Sequence, residues 1–164
     1  HDPHSVVFFH RDSRTLVSAD ALWENGFGIV FPELEGEDAF DDVAATLDLI
    51  ADLAPLTVIP GHGPVFHYAD AILQKARSRL AAFVSNPLRH ANHAAKVLLK
   101  FKLLELQSVH IANFKTWALA TPYLKLMRNR FFEQHPSDEW INQLIAELVA
   151  SGAARRDGNS IVNI

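Results

Sequence analysis

Three residues in the first half of the chain have side chains suited to holding a divalent metal ion. Asp20 follows an apolar run, His62 lies between two glycines just after a second apolar run, and His1 begins the sequence. One carboxylate and two imidazoles at strand ends suit zinc or a similar ion. A carboxylate can also bridge two metals, which together can clamp an attacking hydroxide and a leaving oxygen. The pattern therefore points to metal-assisted hydrolysis.

Each of these residues also has an ordinary structural explanation when it is taken alone. A histidine in a Gly-His-Gly stretch is often part of a loop without a function, although glycines there let backbone approach closely. A carboxylate after a strand, such as Asp20, can cap a turn. A histidine at the start of a sequence, such as His1, can be an end or a tag remnant. Only the combination of the three, each at a strand end, favours a metal site.

The elements that must position these residues alternate between strand and helix. Period-two and apolar runs predict strands, and apolar residues at helical spacing predict helices. A Gly-rich and aromatic stretch between them predicts a long irregular loop. The predicted order is strand 5–10, turn 11–14, strand 15–19, loop 23–36, helix 37–53, strand 56–59 and helix 68–84. This order is typical of an α/β fold.

The remainder of the chain has a different pattern and a different charge. Helices are predicted at 89–107, 110–120, 122–133 and 137–151, followed by two short strands around an Asp-Gly turn at 154–162. Ser137 is predicted to cap the last helix, and Gly152 to end it. Residues 1–86 carry a net charge of −8 and residues 87–164 a net charge of +4. We therefore predict two domains, 1–86 and 87–164, the second of them winged-helix-like.

The ordered motifs of the first domain resemble the metallo-β-lactamase superfamily. Its members carry a His-(Ser/Thr)-Pro-Gly-Ser stretch, then a Gly-Asp after the next strand, then a Pro-Gly-His-Gly stretch near the end of the domain. The matching stretches here are 1–5 (HDPHS), 18–22 (SADAL) and 60–64 (PGHGP). The resemblance implies that Asp20 is the bridging carboxylate, and that His1 and His62 are ligands of different metals. His4 and Ala19 stand where the family usually has glycine.

The family's His-x-His-x-Asp-His signature is absent from the sequence. In the family this signature precedes all of the motifs matched here and supplies most of the metal ligands. The expected fold is therefore the C-terminal half of an αββα sandwich followed by a winged-helix-like helical domain. The resemblance implies two zinc ions in the complete protein, with iron or manganese as alternatives. We predict weak or absent metal binding, and no activity, for these 164 residues alone.

The resemblance implies a hydrolase in which a metal-bound hydroxide attacks an ester, a thioester or a phosphodiester. Trp23 and Phe27, in the loop beside Asp20, are predicted to line the substrate pocket, with packing on the missing half of the fold as the alternative. Two other functions stay open: a nucleic-acid-binding winged-helix module on a non-catalytic α/β half, and an iron-dependent redox relative. The sequence has no cysteine, which excludes disulfides and thiolate metal sites and agrees with a cytoplasmic location. No apolar run approaches the ~20 residues of a membrane span.

The basic second domain suggests which partners to expect. Between residues 89 and 133 there are eight Lys or Arg and two acidic residues, and Lys96, Lys100 and Lys102 fall near one helical face. Such a surface suits an anionic substrate or a nucleic acid. The helix that would enter a DNA groove, however, opens with Asp138 and Glu139, which disfavours sequence-specific reading of DNA. We therefore favour a module that packs on the first domain or forms a homodimer.

Overall fold

The computed structural model describes residues 5–32 and 38–164 of the chain. The described residues form six helices and two small sheets, which confirms the predicted mixed α/β class. The chain divides into two compact units, His1–Pro87 and Leu88–Ile164.

The first unit contains a four-stranded mixed sheet with the strand order β1-β2-β3-β4. β1 pairs with β2 and β3 pairs with β4 in antiparallel fashion, whereas the central pair β2 and β3 is parallel. The carboxyl ends of the two central strands therefore lie side by side, and chain segments that leave them meet at one edge. The strands are β1 Phe8–His10, β2 Thr15–Ala19, β3 Thr57–Pro60 and β4 Phe66–His67.

Two helices of the first unit, α1 (Ala39–Leu53) and α2 (Asp70–Ser85), pack on one face of this sheet. Leu16 of β2 and Val58 of β3 are fully buried and belong to the same core as the helix residues. The core residues of the two helices follow the helical repeat that the sequence predicted. They are Ala39, Val43, Leu47 and Ile50 on α1, and Leu73, Ala76, Leu80 and Phe83 on α2.

The opposite face of the sheet carries apolar side chains that are exposed. Phe8, Val17 and Ile59 are cross-strand neighbours in register, and 68%, 40% and 39% of their respective surfaces are exposed. The period of two along each strand requires that residues flanking the buried Leu16 and Val58 point to this side.

The second unit consists of four helices and a three-stranded antiparallel sheet with the order β5-β7-β6. Trp140, Leu144 and Phe114 are among its buried residues. Along the chain, helix α3 begins at the last residue of the first unit. The elements are α3 Pro87–Leu106, β5 Ser108–His110, α4 Ile111–Ala120, α5 Pro122–Phe131, α6 Ser137–Ala150, β6 Ala154–Asp157 and β7 Ser160–Asn163.

Three local features differ from the sequence-based predictions. β4 and β5 were not predicted, because strands of two and three residues have no periodicity of their own and exist through pairing with β3 and β7. Ser137 does not cap α6: the helix begins at Ser137, and the preceding Pro136 occupies the cap position without a side-chain hydrogen bond. Gly152, in contrast, follows α6 with φ of +76°, as predicted for a helix end.

Within the described part of the chain, no helix combines the length and the apolar character required to cross a bilayer.

Lys100 of α3 joins this helix to the C-terminal strands. Its ammonium group donates hydrogen bonds to the carbonyl of Ala153 at 2.7 Å, to Asn163 Oδ1 at 2.5 Å and to the carbonyl of Ile164 at 2.8 Å. We expect Lys100→Met, which keeps the aliphatic stem, to lower the free energy of unfolding by about 1–3 kcal/mol because three acceptors lose a charged donor. Urea unfolding of the full chain, followed by fluorescence and circular dichroism, measures this change.

The exposed Lys125 of α5 provides the matched control. Lys125→Met should change the free energy of unfolding by no more than about 0.5 kcal/mol. Equal effects of the two substitutions would show that the bonds of Lys100 do not stabilise the unit.

Candidate functional site

Asp20 lies in a tight turn immediately after β2. The buried hydroxyl of Ser18 donates a hydrogen bond to the carbonyl of Leu22 at 2.7 Å and so closes this turn. The amide of Gly28 donates to the backbone carbonyl of Asp20 at 2.8 Å, which ties the turn to the following loop. Between them stands Ala19 with φ of +46°, a left-handed conformation that costs a residue with a Cβ roughly 1–2 kcal/mol. The backbone that presents Asp20 is thus strained but held on both sides.

His62 is the second residue after β3, the strand that pairs with β2. The amide of Gly61 donates a hydrogen bond of 2.7 Å to the carbonyl of Ala19, so the two strand ends are joined directly. A Cβ at Gly61 would lie 2.7 Å from Asp20 Oδ1 and 3.0 Å from the carbonyl carbon of Ala19. A Cβ there would have to displace the Asp20 carboxylate and shift the backbone of Ala19, so this position favours glycine. Gly63 has φ of +91°, which also favours glycine.

These two backbone arrangements bring the carboxylate of Asp20 and the imidazole of His62 together. Asp20 Oδ1 and His62 Nε2 are 3.8 Å apart, and 45% and 71% of the two side chains are exposed. Two ligands bound to one tetrahedral zinc ion at its usual bond lengths are separated by roughly 3.4 Å. The donor types and their separation therefore fit a divalent metal that both side chains would bind.

The third residue predicted for the metal site, His1, lies outside the described residues. Within residues 5–32 and 38–164, no group of three or more His, Asp or Glu side chains is placed so that it could hold a metal ion. The structure thus brings together two of the three predicted ligands.

Trp23 lies next to this pair, whereas Phe27 does not. The Trp23 ring meets the His62 imidazole edge to face, with 5.1 Å between centroids and 78° between planes. Its indole N–H donates to the carbonyl of Ala19 at 3.2 Å. Phe27 is fully buried and packs edge to face on Phe83, so its side chain contacts the core of the unit. Phe27 therefore packs within the described unit itself.

A cleft of about 460 Å³ opens beside Asp20. Helix α1 contributes Val43, Thr46 and Leu49 to its wall, and the residues that precede β1 contribute Val6 and Val7. The α1 residues were not predicted to line the site, because apolar residues at helical spacing indicate a buried helix face and not a cleft.

The lysines that suggested an anionic partner make contacts within the second unit. Lys96 forms an ion pair of 2.9 Å with Glu147, and Lys102 forms one of 2.8 Å with Glu105. Burial raises the pKa of Glu147, but hydrogen bonds from Lys96, Asn92 and Gln143 outweigh this effect and hold the pKa below its ordinary value. With the three bonds of Lys100, each lysine of the predicted basic face has partners of its own.

Comparison with known proteins yields little. No protein-family model matches the chain, and no curated protein matches it. Among solved structures, the chain is similar to a metallo-beta-lactamase family protein from Thermus thermophilus, with 19% sequence identity and a TM-score of 0.39. The match covers 96% of this chain and 44% of that protein, so the chain spans less than half of its length. A likeness this distant does not assign the chain to that family.

The close approach at Gly61 leads to a prediction. Gly61→Ala should lower the free energy of unfolding by about 1–3 kcal/mol, because the new methyl group would crowd Asp20 Oδ1 and the backbone carbonyl of Ala19. It should also lengthen the hydrogen bond from residue 61 to Ala19, so hydrogen exchange at that amide accelerates. Native-state exchange followed by NMR on the full chain measures this.

Gly63→Ala is the matched control, because a Cβ at Gly63 would meet no atom within 4 Å. It should cost roughly 1–2 kcal/mol through its positive φ and leave exchange at residue 61 unchanged. Unchanged stability and exchange in Gly61→Ala would contradict the close approach of the two strand ends.

Proposed function

We propose that this chain is part of a metal-dependent hydrolase of the metallo-β-lactamase superfamily, in which Asp20 and His62 are metal ligands. The observation that carries the proposal is the 3.8 Å separation of Asp20 Oδ1 and His62 Nε2 at the ends of two parallel strands. The motif order of the sequence agrees with it. In the family, further ligands come from a His-x-His-x-Asp-His segment that precedes the motifs matched here.

The contribution of this chain's residues follows from their placement. Asp20, with one carboxylate oxygen directed toward His62, can reach one ion or bridge two. His62 Nε2 lies 3.8 Å from that oxygen and would bind the same ion. A bound zinc ion, or iron or manganese in its place, would supply the Lewis acidity that hydrolysis of an ester, thioester or phosphodiester needs. The cleft beside Asp20 would admit the substrate.

Within residues 5–32 and 38–164 no third ligand joins Asp20 and His62, and we propose that the chain alone is inactive. The two side chains are 45% and 71% exposed, so water weakens their electrostatic attraction for a metal ion. Bound iron in place of zinc in the complete protein would support the redox alternative.

For the second unit we propose a winged-helix-like module that packs on a catalytic domain or forms a homodimer. Its three-stranded sheet places β5, from between the first two helices, beside the terminal hairpin β6–β7. A nucleic-acid partner is the less favoured alternative, because Lys96, Lys100 and Lys102 are engaged within the unit. A small anionic substrate for the first unit is compatible with either role.

The ligand pair can be tested by NMR on the full chain. When zinc is added stepwise, we expect the imidazole signals of His62 and the amide signals of Asp20 to shift together along one weak saturation curve. Asp20→Ala and His62→Ala should each abolish this shared response, because one exposed ligand alone binds zinc too weakly.

His67 is the matched control because it is exposed and lies on β4 opposite Thr57, at the start of β3. His67→Ala should leave the response of His62 and Asp20 intact. If His67 responds at lower zinc concentration than His62, the pair is not a ligand set. Tight stoichiometric binding would contradict the requirement for further ligands.

A further inference from the structure

The imidazole of His62 has few restraints of its own. It is 71% exposed, and the neighbouring Gly61 and Gly63 add no side chains that could pack on it. A histidine in such a loop ordinarily samples several staggered rotamers. Its described contacts are the carboxylate of Asp20 at 3.8 Å and the ring of Trp23, whose centroid is 5.1 Å away. Trp23 thus supplies the only aromatic contact described for His62.

Trp23 is itself fixed from two sides. Its indole N–H donates to the carbonyl of Ala19, the same oxygen that accepts the amide of Gly61. Its backbone amide donates to the carbonyl of Gly26 at 2.7 Å, which closes a small loop. One carbonyl therefore joins the end of β2, the end of β3 and the indole, and the ring is placed relative to both proposed ligands.

Side chains of helix α2 contact this small loop. Lys75 Nζ donates to Asn25 Oδ1 at 2.5 Å. The side chain of Arg79 packs against Gly26: a Cβ added at Gly26 would lie 3.0 Å from Arg79 Cδ. The Arg79 guanidinium also lies over the ring of Phe27, 5.7 Å from its centroid, and burial lowers its pKa. The loop that carries Trp23 thus rests on a regular, packed element.

We propose that Trp23 is a positioning residue that holds the His62 imidazole in the rotamer directed at Asp20. In this role Trp23 acts through His62 and need not touch a substrate, which differs from the pocket-lining role that the sequence suggested. The link to metal binding rests on the proposed function, whereas the restraint on the His62 rotamer does not.

The size of the effect follows from rotamer populations. If loss of the ring lets His62 distribute over about three staggered χ1 wells, the population directed at Asp20 falls to roughly one third. Apparent zinc affinity should then fall about threefold, because binding is reduced by the fraction of competent molecules.

The experiment compares the full-length wild-type chain with Trp23→Leu and reads the three-bond χ1 couplings of His62 by NMR. We expect couplings of a single rotamer in the wild type and averaged couplings in Trp23→Leu, with a zinc response about threefold weaker. Trp117→Leu is the control, because Trp117 stacks on Phe114 in the second unit. It should leave the His62 couplings unchanged.

If Trp23→Leu does not fold, a second variant, Trp23→Phe, tests the same restraint. Trp23→Phe keeps a ring beside His62 but loses the N–H bond to Ala19, so partial averaging supports the proposal. Averaged couplings in the wild type, or wild-type couplings in the folded Trp23 variant, would overturn it. If zinc shifts the signals of other histidines but not those of His62, the metal-ligand proposal fails, and the couplings still decide the role of Trp23.

Discussion

The parallel pairing of β2 and β3 is the constraint on which the candidate site depends. It places the ends of the two strands side by side. The hydrogen bond of 2.7 Å from the amide of Gly61 to the carbonyl of Ala19 joins the two segments where they leave the sheet. The residue after each of these two is a potential metal ligand. Asp20 and His62 therefore meet because of a backbone contact, and the glycine at position 61 leaves room for the Asp20 carboxylate beside it.

The site is held more tightly by backbone than by side chains. Ser18 closes the turn that contains Asp20, and the left-handed Ala19 stores strain that the surrounding hydrogen bonds maintain. Glycine is the ordinary residue for such a conformation, and Ala19 adopts it although it has a Cβ. The side chains of Asp20 and His62, in contrast, are both substantially exposed, so a neighbour such as Trp23 matters for their orientation.

The sequence predicted much of this arrangement and missed specific parts of it. The apolar runs before Asp20 and His62 identified β2 and β3, and the βαβ order made their ends meet. Trp23 was associated with Asp20 only through proximity in the chain, because its contact with His62 spans 39 positions and has no periodic signature. β5 was missed for a related reason: its three residues become a strand only by pairing with β7.

The most direct test of the central claim is anomalous X-ray diffraction from crystals of the full chain soaked in zinc. The account predicts a zinc peak within bonding distance, about 2.0–2.2 Å, of both Asp20 Oδ1 and His62 Nε2. The peak should be absent from crystals of His62→Ala treated in the same way. Zinc bound only at other histidines, with Asp20 and His62 turned away from each other, would contradict the account.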